Sequence, residues 1–123
     1  MWTVEYYPDK RGEQPVAKWL DEVSKSDPAR ALGIYARIKK LSEYGLELLD
    51  TKMMSRLKGA DRHFYELTPG PYRVVVYYDI KRSKFILLHG FRKKKQRQDQ
   101  DIDRAKLRLK NYLLRAGQEQ RGK

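Results

Sequence analysis

The chain has 123 residues and a formal net charge of +12, a length that suits one domain able to bury a core without covalent staples. The absence of cysteine excludes disulfides and thiolate metal sites, and no segment reads as a membrane span. Met1–Tyr7 lacks the basic start and apolar run of a secretory signal, so a cytoplasmic protein is expected.

Trp2, Val4 and Tyr6 alternate with Thr3, Glu5 and Tyr7, the period-2 pattern of a half-buried strand that ends at Pro8. After a polar turn, Val16, Trp19, Leu20 and Val23 fall on one helix face. Ser26-Asp27-Pro28 stops that helix and starts another, with Asp27 as N-cap and Pro28 in the first turn. The second helix sets Ala31, Ile34, Tyr35, Ile38 and Leu41 on one side and ends at Gly45. Leu46 to Gly59 fits either an irregular connection or a short helix. From Arg62 the pattern turns to strands: His63–Leu67, the turn Thr68-Pro69-Gly70-Pro71, Tyr72–Tyr78, a second turn, and Phe85 onward. A last helix starts at Asp99 or Asp101 and carries Ile102, Ala105, Leu109, Tyr112 and Leu113 inward, with a frayed polar tail from residue 116 to 123. The order predicts an α+β fold: an antiparallel β-sheet made of the N-terminal strand and a three-stranded C-terminal meander, with a helical hairpin and a C-terminal helix. Residues 1–115 form its single domain.

Charge is concentrated late in the chain. Residues 1–80 hold 13 basic and 12 acidic side chains, whereas residues 81–123 hold 15 and 4. The strand at Phe85 runs directly into Arg92, Lys93, Lys94 and Lys95, so a rigid element aims cations at something outside the fold. A phosphate backbone is the best candidate. By strand parity, Phe64 and Glu66 share a face, Arg73 can meet Glu66 across the hairpin, and Arg92 extends Ile86, Leu88 and Gly90 onto that same face. His89 is then expected on the opposite face with Phe85 and Leu87. Glu66 and Arg73 read either as a cross-strand ion pair or as a carboxylate held by a cation beside a basic cleft. Two histidines without cysteine give no metal-ligand spacing, and no glycine-rich phosphate loop or nucleophile elbow occurs.

The segments Leu57-Lys58-Gly59, Phe64–Leu67, Tyr72-Arg73, Tyr77-Tyr78, Leu87–Phe91, Lys93-Lys94 and Ala105 with Leu109 occur in an order that resembles the RelE/ParE toxin superfamily, nearest its HigB-like branch. The resemblance implies a RelE-like fold and the toxin of a type II toxin–antitoxin pair. It implies a metal-free, cofactor-free messenger RNA endoribonuclease working in the ribosome, in which a ribose 2′-hydroxyl attacks the neighbouring phosphate. Carried over by position, Arg73 holds the scissile phosphate, Arg92 is a second phosphate-stabilising cation, and Glu66 is the base. Lys58, Arg62, Phe91, Lys93, Lys94 and Lys95 then contact RNA. The pattern's arginine after Tyr-Glu-Leu is Thr68 in this chain. The histidine or tyrosine of relatives shortly after the Arg92 position is absent from Gln96-Arg97-Gln98, which leaves the general acid unassigned. The implied partners are the ribosome with its messenger and a cognate antitoxin of helix-turn-helix type, through which alone the toxin meets DNA. A ParE-like inhibitor of DNA gyrase and a non-catalytic nucleic-acid-binding module are the alternatives.

Overall fold

The computed structural model describes residues 1–94 and 98–121. Strand β1 (Thr3–Tyr6) is followed by helices α1 (Pro15–Ser26) and α2 (Pro28–Tyr44). Asp27 joins the helices by closing one and opening the next. Its N–H donates to the Val23 carbonyl at 2.7 Å, and its Oδ1 accepts from the Arg30 N–H at 3.2 Å. Gly45 ends α2 at φ +57°, where an added Cβ would collide with the Trp2 indole. The unassigned stretch becomes a 3₁₀ segment, Gly45–Asp50, and a short edge strand β2 (Met54–Arg56). Then come β3 (Phe64–Leu67), β4 (Tyr72–Asp79), β5 (Lys84–Arg92) and α3 (Asp99–Arg121).

The α+β architecture is as the sequence predicts, with two differences in the sheet. It has five strands in the order β1-β5-β4-β3-β2, the fifth being β2. It is also mixed, because β1 pairs parallel to β5, from Thr3 opposite Lys84 to Tyr6 opposite Leu87. Strand parity in the sequence carries no direction, so it could not distinguish parallel from antiparallel pairing.

Helices α1 and α2 cover one face of the sheet, burying Val16, Leu20, Ile34 and Leu41 against Leu67, Val74, Val76 and Leu87. Helix α3 covers the other, burying Ala105, Leu109 and Tyr112 against Phe64, Val75, Ile86 and Leu88. Each fully buried side chain of this kind contributes about 1.5–3 kcal/mol. Two residues expected inside are outside: Tyr35 is 41% exposed and Leu113 likewise 41%. Helix α3 also continues past Arg115, where fraying was expected, and Ala116 is packed in the second core.

Asp79, at the end of β4, pins α3 to the sheet. It accepts from the Tyr112 hydroxyl at 2.6 Å and from Arg82 Nη1 at 2.9 Å. Burial pushes its carboxyl upward, but the hydrogen bonds from Tyr112 and Arg82 outweigh this and hold it below the usual range.

The most consequential irregularity is in β5. Val75 lies opposite His89 and Val76 opposite Leu87, so Leu88 is one residue extra. This β-bulge turns Leu88 and His89 toward α3 together and reverses the parity of everything after it. Gly90 therefore faces α1, where the Trp19 ring lies directly on its backbone. Any added side chain must displace that indole. Gly90→Ala is expected to destabilise by about 1–3 kcal/mol, an overpacking cost. Thermal unfolding should then show a Tm lower by roughly 3–10 °C.

Candidate nucleic-acid interface and active site

Glu66 on β3 lies opposite Val75, and Arg73 is two residues before Val75 on β4, so the two side chains are diagonal neighbours on the α3 face. Glu66 Oε1 stands 3.5 Å from Arg73 Nε. The carboxylate side chain is only 9% exposed, and its Oε2 is buried without a hydrogen-bond partner among the described residues. Burial raises the Glu66 pKa, and the positive charges of Arg73 and Lys93 offset this only in part. A carboxylate in this state is a better proton acceptor than an ordinary surface glutamate.

Arg73 is fixed by the turn it follows. Gly70, at φ +59°, closes the β3–β4 turn, and Arg73 Nη1 donates to the carbonyls of Gly70 and Tyr72, each at 2.7 Å. The same turn is tied to the end of β5 by the Lys93 N–H, which donates to the Pro71 carbonyl at 2.7 Å. The Thr68 hydroxyl donates to the Lys52 carbonyl at 2.7 Å and fastens the hairpin to the segment that leads into β2. Helix α2 adds guanidinium groups from the flanks of its apolar face. Arg30 packs at Gly70. Arg37 donates to the Met53 carbonyl at 2.9 Å, and burial with the nearby Arg73 lowers its pKa.

Of the residues expected to converge, Glu66, Arg73 and Lys93 do so and Arg92 does not. Arg92 lies opposite Tyr72, one register step from the Arg73–Phe91 pair, and its guanidinium sits over the Tyr72 ring at 5.8 Å on the α1 face. The bulge is the physical reason, since it moves every side chain after Leu88 to the face opposite the one that simple alternation gives. Phe91 is correspondingly turned into the second core and is only 7% exposed, so it packs rather than offering a stacking surface. Lys94 is exposed, and Lys95 lies outside the described residues. Lys58 and Arg62 are exposed on the β2–β3 connection, at the far end of β3. Glu66 is four residues on from Arg62, about 13 Å along an extended chain. That connection is held to α3 by Asp61, 3.0 Å from Lys106 Nζ.

The bulge also brings in a residue expected elsewhere. His89 shares the α3 face with Glu66, its ring stacked on Phe91 at 5.5 Å. Arg108 Nη1 donates to His89 Nδ1 at 3.0 Å, which leaves Nε2 to carry the proton and donate to Asp101 at 2.8 Å. Both nitrogens are occupied and the ring is neutral, so His89 is a brace for α3 rather than a proton donor. Burial lowers its pKa, with the charges of Arg108 and Arg104 adding to the effect and Asp101 opposing it. Among the described residues, no three histidine, aspartate or glutamate side chains converge as a metal site needs. No described helix is long and apolar enough to cross a membrane.

Two expectations follow for stability. The unfolded His89 binds a proton at about pH 6.5 and the folded one only at lower pH. Stability should therefore be level above that pH and fall as acid is added below it. In urea titrations from pH 8 to 5, His89→Gln should flatten this acid limb. For Glu66 the sign is reversed: a raised pKa means the charged form is penalised in the folded state. Glu66→Gln should raise Tm at pH 7 and change it less near pH 4, where the parent carboxyl is protonated.

Comparison with known proteins gives one family match, to the family described as Phage derived protein Gp49-like (DUF891), over residues 18–110. No curated protein matches. Among solved structures, a chain of the toxin–antitoxin complex RelBE2 of Mycobacterium tuberculosis is similar, with 14% identity, a TM-score of 0.43, and coverage of 75% of this chain and 98% of that one. With residues 18–110 matched, which include β2 to β5, the site residues and most of α3, the chain belongs to the phage-derived Gp49-like family.

Proposed function

We propose that the protein is the toxin of a type II toxin–antitoxin pair, of RelE/HigB type, and that it cuts messenger RNA in the ribosome. The observation that carries this reading is Glu66: a nearly buried, incompletely paired carboxylate of raised pKa, 3.5 Å from a guanidinium, on a cationic sheet face. Burying a carboxylate in this way costs stability, and such a cost is commonly met at sites of proton transfer.

In this mechanism Glu66 takes the proton of the ribose 2′-hydroxyl. The oxygen attacks the adjacent phosphorus, the bond to the 5′ oxygen breaks, and that oxygen leaves with a proton drawn from solvent. Arg73 neutralises the charge that builds on the non-bridging oxygens, and Lys93 adds to the field. The products are a 2′,3′-cyclic phosphate and a 5′-hydroxyl. The cationic C-terminal third supplies the docking surface for ribosomal and messenger RNA, and a cognate antitoxin covers it or keeps it from the ribosome. The position of Arg92 on the other face leaves one arginine at the phosphate. It favours, as the second reading, an RNA-binding protein without cleavage.

Expression without a partner, followed by sequencing of RNA 5′ ends, separates the readings. The parent should arrest growth and shorten transcripts at codon boundaries. Arg73→Ala and Glu66→Gln should each lower cleavage by about 100-fold or more with the fold intact by circular dichroism. Arrest with intact transcripts would point to binding alone, and DNA-damage signalling to a gyrase target. Undiminished cleavage in both variants would remove these residues from the mechanism.

A further inference from the structure

The parity reversal in β5 shapes a second feature, at the edge of the sheet between α1 and the start of α3. Strand β1 covers only Lys84–Leu87 of β5, and among the described residues no strand lies on that side of the following stretch up to Arg92, which pairs only with β4. At this open edge is a cavity of about 660 Å³, bounded by Trp19 of α1, Gly90, Arg92 and Lys94, and across from them Gln98 and Asp99 at the start of α3. Its size falls within the range of about 300–1,000 Å³ typical of small-ligand sites.

The walls differ in chemistry. Trp19 is a rigid aromatic surface, seated on the Gly90 backbone and set edge-on to Tyr72 at 5.8 Å and 72°. Arg92 is drawn over the same Tyr72 ring at 5.8 Å, and both Arg92 and Lys94 are exposed. The facing wall carries amide and carboxylate groups, of which Asp101 is already bound to His89. A flat aromatic beside two cations suits a nucleobase with its phosphate. An extended peptide would use the strand edge but would leave the aromatic and cationic pairing without purpose.

The cavity also lies at the same end of the sheet as the Glu66–Arg73 site. Tyr72–Arg92 and Arg73–Phe91 are successive pairs, so Arg73 and Arg92 leave the same end of the sheet on opposite faces. Lys93 stands between them at the rim, its backbone tied to the Pro71 carbonyl and its charge acting on Glu66.

We propose that this cavity is a subsite for a base of single-stranded RNA, with the indole of Trp19 stacked on the base and Arg92 and Lys94 on the adjoining phosphates. The strand then crosses the end of the sheet from the Glu66–Arg73 face to the Trp19 face instead of lying along one face. This rests on the RNA-directed reading of the site above and extends it to residues with no part in the cleavage step.

The chain has two tryptophans, so full-length Trp2→Phe leaves Trp19 as the sole indole reporter. Titration with a short 2′-O-methyl oligouridylate, which cannot be cleaved, should quench this fluorescence in step with binding followed by anisotropy of labelled oligonucleotide. Trp19→Phe, made in the otherwise unchanged chain, should keep the fold and show no quenching of the remaining Trp2. Arg92→Ala should weaken binding about tenfold, the loss expected for one charge-assisted contact. Binding that persists with Trp19 silent and Arg92→Ala unaffected overturns the subsite, whether or not a polypeptide occupies the cavity, and leaves the Glu66–Arg73 reading standing. If the parent binds no oligonucleotide at low salt, the subsite and the RNA-directed reading fall together.

Discussion

A single extra residue in β5 determines what this sheet presents to its surroundings. Because Leu88 is bulged out of register, Leu87 and Leu88 serve opposite cores, His89 turns inward to brace α3, and Gly90 turns outward beneath Trp19. A regular strand of the same sequence would drive His89 into the helical hairpin and Arg92 onto the face that holds Glu66. The bulge is stabilised from both sides: Arg108 Nη1 donates to the Leu88 carbonyl at 2.8 Å, and the Trp19 indole occupies the space left by Gly90. Both devices use residues distant in sequence, so the irregularity belongs to the tertiary structure and not to the strand alone.

Electrostatics and packing pull in opposite directions at Glu66. The surrounding sheet buries the carboxylate, which works against its charge, while Arg73 and Lys93 restore part of the lost solvation. Asp79 shows the alternative outcome within the same protein. It is also buried, yet three donors from Tyr112 and Arg82 keep it ionised and make it a structural tie. The contrast lies in donors supplied: one carboxylate is saturated, and the other has an oxygen with no hydrogen-bond partner among the described residues. That difference separates a joint from a candidate reactive group.

Much of the fold was legible in the sequence because its signals are local. Asp27-Pro28 marks the α1–α2 junction, Gly45 marks the end of α2, and Pro69-Gly70-Pro71 marks a hairpin; each acts through its own backbone. Glu66 and Arg73 were legible as neighbours for the same reason, since a tight hairpin fixes their register. The position of Arg92 was not, because nothing within β5 announces a bulge except Gly90, and a glycine there is equally compatible with a close helix. The parallel pairing of β1 and the edge strand β2 were likewise hidden, being decided by contacts across the whole chain. Arg30 and Arg37 escaped as site neighbours because a helix face read only for its apolar stripe says little about where its flanking cations reach.

The pairing of Thr3 with Lys84 has a consequence for biosynthesis. Strand β1 must wait for β5, the last strand of this sheet, before it has a partner, so the sheet cannot close until β5 has emerged. The β3–β4 hairpin bearing Glu66 and Arg73 has no such wait, its pairing being local. A chain interrupted before Lys84 holds those side chains on a ribbon that lacks β5 and α3, and the surface assembles in full only once those two elements have been made.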